Sequence, residues 1–149
     1  MDLLATVTNT GFDKAIAAAN LFNTYFGHPE TVLGAYQGPF AIDYPQDTYT
    51  SMLMGDYPHG NVVSRDGIQS ARQAYLDTLS KQKDHSVTIL SIGFPVNIRD
   101  ALLADAELFE KKVKEIYWMG GSYNFGCGEK FIPNKVDCEG SMALVQQLL

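Results

Sequence analysis

Apolar and polar positions along the chain change their period several times, and each change marks an element. Residues 2–9 (DLLATVTN) read as a strand rich in Leu, Val and Thr, closed by Asn9-Thr10-Gly11. From Asp13 to Phe26 the spacing turns helical, with Ala15, Ala18, Ala19, Phe22 and Phe26 recurring at one face and Gly27 as the stop. Thr31 to Tyr36 is a second short strand, ended by Gly38-Pro39. Phe40 to Ser64 has no clean period and reads as a long loop with one short helix around Tyr49 to Met54. Ser64 or Asp66 is expected to cap the next helix, which carries Ile68, Ala71, Ala74, Tyr75 and Leu79 on one face.

The second half repeats the alternation. Ser86 to Ser91 is a strand, Ile98 to Leu103 and Ala106 to Lys112 are short helices, and Val113 to Met119 is a further strand. Cys138 to Leu149 has the apolar spacing of an amphipathic helix. Strands alternating with helices imply an α/β architecture: an open, mostly parallel sheet flanked by helices and joined by right-handed crossovers. Two of these strands end in glycine-bearing polar turns, at Val87-Thr-Ile-Leu-Ser-Ile-Gly-Phe-Pro-Val-Asn97 and Ile116-Tyr-Trp-Met-Gly-Gly-Ser-Tyr-Asn124. With one helical crossover between them, the two turns would lie side by side on one rim, where open α/β sheets place their ligand sites.

Composition narrows the picture. One domain spanning 1–149 is expected, long enough to bury a core, with 46% apolar and 19% charged residues. A net charge of -6 leaves no basic footprint for nucleic acid. No apolar run approaches the roughly 20 residues that cross a bilayer, so no membrane partner is expected. The absence of a basic N-terminal region argues for a cytoplasmic rather than a secreted protein. Cys127 and Cys138 lack metal-ligand spacing; they read as reduced thiols, with one disulfide as the alternative. His59 reads as a loop histidine with no acid or nucleophile beside it, and His28 and His85 as exposed turn residues. Phe22, Tyr25, Phe26 and Tyr75 read as core or flanking aromatics. Gly120-Gly121 and Gly126-x-Gly128 lack both the dinucleotide fingerprint and the Lys-Ser/Thr of a P-loop.

Four pieces together carry a resemblance: Leu4-Ala-Thr-Val-Thr-Asn9-Thr-Gly-Phe, Gly34-Ala-Tyr-Gln-Gly38, Ser91-Ile-Gly-Phe-Pro-Val-Asn97, and Tyr117-Trp-Met-Gly-Gly121 with Val136-Asp-Cys-Glu139 downstream. In this order the chain resembles the central portion of the inosine–uridine-preferring nucleoside hydrolase family. The resemblance implies an incomplete Rossmann-like fold and hydrolysis of the N-glycosidic bond of ribonucleosides through an oxocarbenium-like transition state. It also implies calcium, held in the family mainly by an N-terminal aspartate cluster. Asn9 matches the family's ribose-contacting Asn, and the carbonyl of Ile92 matches a main-chain calcium ligand. Asn124, Glu129 and Asn134 are the ribose-gripping candidates, at a spacing that departs from the pattern.

Simpler readings stand beside each of these. Asn9, Asn124 and Asn134 suit turns, Glu129 suits a solvated loop, and Ile92 suits a buried strand position. The departures from the family are equally specific. The only acid before Asn9 is Asp2, and the family's later His–Asp pair has no counterpart before Leu149. The sequence is therefore expected to be cut at both ends and inactive alone. Its expected partners are a ribonucleoside and a second chain, identical or different, covering open sheet edges. The alternatives are a non-catalytic nucleoside- or ribose-binding relative, or an assembly module using the fold as scaffold.

Overall fold

A computed structural model describes residues 2–38 and 49–119. They hold nine elements, starting with β1 (Ala5–Thr8), α1 (Lys14–Tyr25), β2 (Val32–Ala35), α2 (Thr50–Asp56) and α3 (Ala71–Ser80). After these come β3 (Val87–Ser91), α4 (Val96–Ala104), α5 (Ala106–Lys112) and β4 (Val113–Trp118). The architecture is a mixture of helices and short parallel strands. The expected continuous sheet is replaced, among the described residues, by two two-stranded sheets, β1–β2 and β3–β4, both parallel. The chain divides into two compact units, Met1–Ala74 and Tyr75–Leu149. The amphipathic helix expected over Cys138–Leu149 and both cysteines lie outside the described residues.

In the first unit, α1 is the crossover between β1 and β2 and packs on both strands and on α2. Its C-terminus stops as the sequence predicts. Gly27 takes φ 84, a left-handed conformation that costs glycine little. The N–H groups of Gly27 and His28 then return to the carbonyls of Thr24 and Asn23, at 3.1 and 2.7 Å. The buried face of α1 differs from the expected one. Ile16, Ala17, Ala18, Asn20, Leu21 and Asn23 are buried, whereas Phe22 and Phe26 are exposed. Two asparagines interrupt the true stripe and hide it from an apolar pattern. Asn20 Nδ2 donates to the His59 carbonyl at 2.6 Å and the Thr6 hydroxyl donates to Asn23 Oδ1 at 3.0 Å, while Asn23 Nδ2 is buried without a hydrogen-bond partner among the described residues.

The start of α3 also differs from expectation. Gly67 adopts φ 77 and breaks the helical path, so the cap is neither Ser64 nor Asp66. Ser70 caps instead, its hydroxyl accepting from the Gln73 N–H at 3.1 Å. The chain just before α3 runs beside β2, through an isolated parallel bridge between Ala35 and Ser70. Gly34 lets β2 and α3 approach closely, because a Cβ at position 34 would lie 2.5 Å from the Ala74 Cβ.

In the second unit, β3 alternates strictly between buried and exposed positions. Val87, Ile89 and Ser91 face inward, and Ile98, Ala101, Leu102 and Phe109 supply buried apolar groups from α4 and α5. Burying a side chain the size of Ile98 stabilises a fold by roughly 1.5–3 kcal/mol. Helix α5 has the bounds that the sequence predicts. Asp105 Oδ1 accepts the Leu108 N–H at 2.9 Å, Glu107 lies in the first turn, and Lys111 and Lys112 close the last one, as the helix dipole favours. The β3–β4 register shifts between Val87 and Thr88, so that Lys114 is passed over before Thr88 pairs with Glu115.

Candidate functional site

Parallel strands bring their carboxyl ends to one rim, and each unit has such a rim. In the second unit, Ser91 pairs with Trp118, and the Met119 N–H donates to the Ser91 carbonyl at 2.8 Å. The Gly93-Phe94-Pro95 turn therefore starts beside the strand end that leads into Met119. The two predicted short helices, now α4 and α5, make the crossover, and the Gly120–Asn124 turn expected to lie beside the Gly93-Phe94-Pro95 turn lies outside the described residues. Ile92 lies one residue past β3 and is 65% exposed, so the alternative reading of a buried strand residue is corrected. The cause is the end of the ladder at Ser91, after which the chain turns toward Pro95. Asn97, in the first turn of α4, is buried.

The outward side of this pair is apolar toward its carboxyl end, where Leu90, Ile92, Tyr117 and Met119 are all exposed, and polar toward its start, where Thr88 faces Glu115. Polar chemistry sits away from that rim. The Thr88 hydroxyl donates to Glu115 at 3.1 Å. That bond, against a smaller opposing desolvation and with help from Lys114 and Tyr117, holds the Glu115 carboxyl below its ordinary value. Near the start of β3, Lys112 Nζ donates to Asp84 Oδ1 at 2.7 Å and lowers the Asp84 carboxyl likewise. Burial pushes the Tyr75 phenol up to about 12, and its ring lies 6.0 Å from that of Phe109.

In the first unit, Asn9 follows β1 directly and is half-buried. The neighbouring carbonyl of Thr8 accepts the Tyr36 N–H at 3.1 Å, which joins the ends of β1 and β2. Arg65 reaches the same rim and bonds Asp13 and the Tyr36 carbonyl. No spacing pattern points to Arg65; its local signal is the Ser64-Arg-Asp-Gly67 turn. His59 is a half-buried loop residue whose carbonyl accepts from Asn20, and His28 and His85 are exposed turn residues. Phe22, Tyr25 and Phe26 are exposed flanking aromatics.

Asn9 and Ile92 thus fall in different units, and Asn124, Glu129 and Asn134 lie outside the described residues. Calcium takes about six to eight oxygen ligands, several of them carboxylates in a tight site. Among the described residues no group of three or more His, Cys, Asp or Glu converges on a point. Among the described residues no helix is long and apolar enough to cross a membrane. No protein-family model matches the chain, and no curated protein matches it.

Proposed function

We propose that the chain is a nucleoside-hydrolase-like protein of Rossmann-like ancestry that binds the ribose of ribonucleosides and does not cleave them on its own. The observation that carries this reading is the β3–α4–α5–β4 unit. It sets the Ser91–Asn97 turn beside the strand end at Met119, through the 2.8 Å bond between Met119 and Ser91. These are the two motifs on which the resemblance depends most. Asn9 supports the reading from the other rim, as a carboxamide at the end of a parallel strand where sugar hydroxyls can be both donated to and accepted from. The chemistry of the described residues supports the proposed lack of turnover. N-glycosidic hydrolysis needs a general base and a stabiliser for the oxocarbenium ion. Among the described residues no carboxylate cluster supplies either.

Calorimetric titration with inosine, uridine and ribose, in the presence and absence of calcium, tests the proposal beside a ribose-release assay. Saturable binding of all three without release is the expected result. Release of ribose would overturn the claim of inactivity, and absence of saturable binding would overturn the ribose reading. A second reading, a scaffold that pairs with another chain, is favoured by the exposed apolar side of β3–β4 at Leu90, Ile92, Tyr117 and Met119. Self-association in sedimentation without ribose binding would select it.

A further inference from the structure

Arg65 lies in the turn between α2 and α3, yet it bonds two segments distant in sequence. Its Nε donates to Asp13 Oδ1 at 2.7 Å, and Nη1 donates to the Tyr36 carbonyl at 3.1 Å. The turn that carries it is itself tied down. The Asp66 N–H donates to Ser64 Oγ and the Ile68 N–H to the Arg65 carbonyl, both at 3.1 Å. The Arg65 side chain is 29% exposed and its bond to the Tyr36 carbonyl is partly buried, whereas Asp13 is 59% exposed and that ion pair is open to water, so the geometry of two acceptors held by one guanidinium matters more than the charge pair alone.

These bonds close a ring. The Tyr36 N–H is held by the Thr8 carbonyl. From Thr8 the chain passes through Asn9, then through a tight turn in which the Thr10 hydroxyl accepts the Phe12 N–H at 3.1 Å, and reaches Asp13. From Asp13 the guanidinium leads back to Tyr36. Asn9 lies within that ring. Asp13 sits at the start of α1, where a carboxylate usually accepts an N–H of the first turn. It makes no such cap bond, and its carboxylate meets Arg65 instead. A local stabilisation of the helix is given up for a long-range tie. A guanidinium suits the task because its planar fork serves two acceptors in fixed geometry, whereas an ammonium acts as a point charge.

We propose that Arg65 is a positioning residue for the Asn9 rim, holding the 9–13 turn against Tyr36 so that the Asn9 carboxamide is presented to ribose. The ligand rests on the ribose-binding reading; the latch does not. The test compares the whole chain with its Arg65→Ala and Arg65→Lys variants, by hydrogen exchange of the backbone amides and by ribose titration. In Arg65→Ala, exchange at residues 10–13 rises about tenfold while the interior of α1 is unchanged, and ribose affinity falls about tenfold, as loss of a charge-assisted bond implies. Millimolar methylguanidinium restores both, and Arg65→Lys restores neither fully.

A general fold defect would raise exchange throughout the first unit without rescue by methylguanidinium, and would overturn the proposal. Equal ribose affinity in wild type and Arg65→Ala would also overturn it. If wild type binds no ribose, the ribose reading fails and exchange alone decides the latch. A local, rescuable rise would sustain it, and unchanged exchange would reject it.

Discussion

The two parallel pairs share a topology and differ in what secures them. Around β1–β2 the ties are polar. Asn20, Asn23, Thr6 and Arg65 bond across sequence separations of 17 to 52 residues, and β1 itself has no fully buried position. Around β3–β4 the inward face is mainly apolar, with Ile89, Ile98 and Phe109 nearly excluded from water, and the outward face is exposed, polar at Thr88 and Glu115 and apolar from Leu90 and Tyr117 onward. The first pair also has a buried apolar layer, at Ile16, Ala17, Leu21 and Ala35, so the same β–helix–β plan can rest on burial alone or on burial supplemented by directed bonds. The choice sets what its rim offers: hydrogen-bonding groups at Asn9 and Tyr36, apolar contact at Ile92 and Met119.

If burial holds the second pair, Ile98→Ala is the most damaging single change. It removes a side chain 1% exposed and should lower stability by about 2–5 kcal/mol, read from denaturant unfolding followed by Trp118 fluorescence. A loss below 1 kcal/mol would break the comparison. If directed bonds hold the first pair, Asn23→Ala should cost about 1–2 kcal/mol, because it removes the acceptor of the Thr6 hydroxyl from a buried site. A neutral result would mean that β1–β2 too rests on burial alone.

The smallest effect is at acid pH. The bond from Lys112 keeps the Asp84 carboxyl below its ordinary value in the folded chain. The contribution is therefore fully present above the ordinary carboxylate range and lost as pH falls through the lowered folded value. Asp84→Asn should flatten the fall in the unfolding midpoint below about pH 4, and an unchanged acid limb would show that the pair contributes nothing.

What the sequence discloses follows the same division. Helix α5 was legible to the residue because every signal is local: the Asp105 cap, Glu107 in the first turn, and Lys111 and Lys112 in the last. The parallel pairing of β3 with β4 was legible too, since two apolar strands joined by a helical crossover leave few other pairings. The buried face of α1 was not, because Asn20 and Asn23 occupy core positions and their justification lies in Thr6 and His59. The start of α3 was misplaced because a glycine at position 67 gives no warning that it will take φ 77. Arg65 was invisible as a rim residue, as its partner Asp13 is 52 positions away and no spacing rule spans that distance.

Gly34 and Ala74 fix more than a contact. A Cβ at position 34 would fall 2.5 Å from that of Ala74 and 3.4 Å from both the Ala71 backbone and Val7. The space between β2 and α3 is thus a shared volume with no slack, and positions 34 and 74 act as a single variable. Growth at position 34 is tolerated only with loss of the Ala74 Cβ, and glycine at 74 would weaken α3 by about 1 kcal/mol. Viable variants of this chain should change the two together or leave both alone.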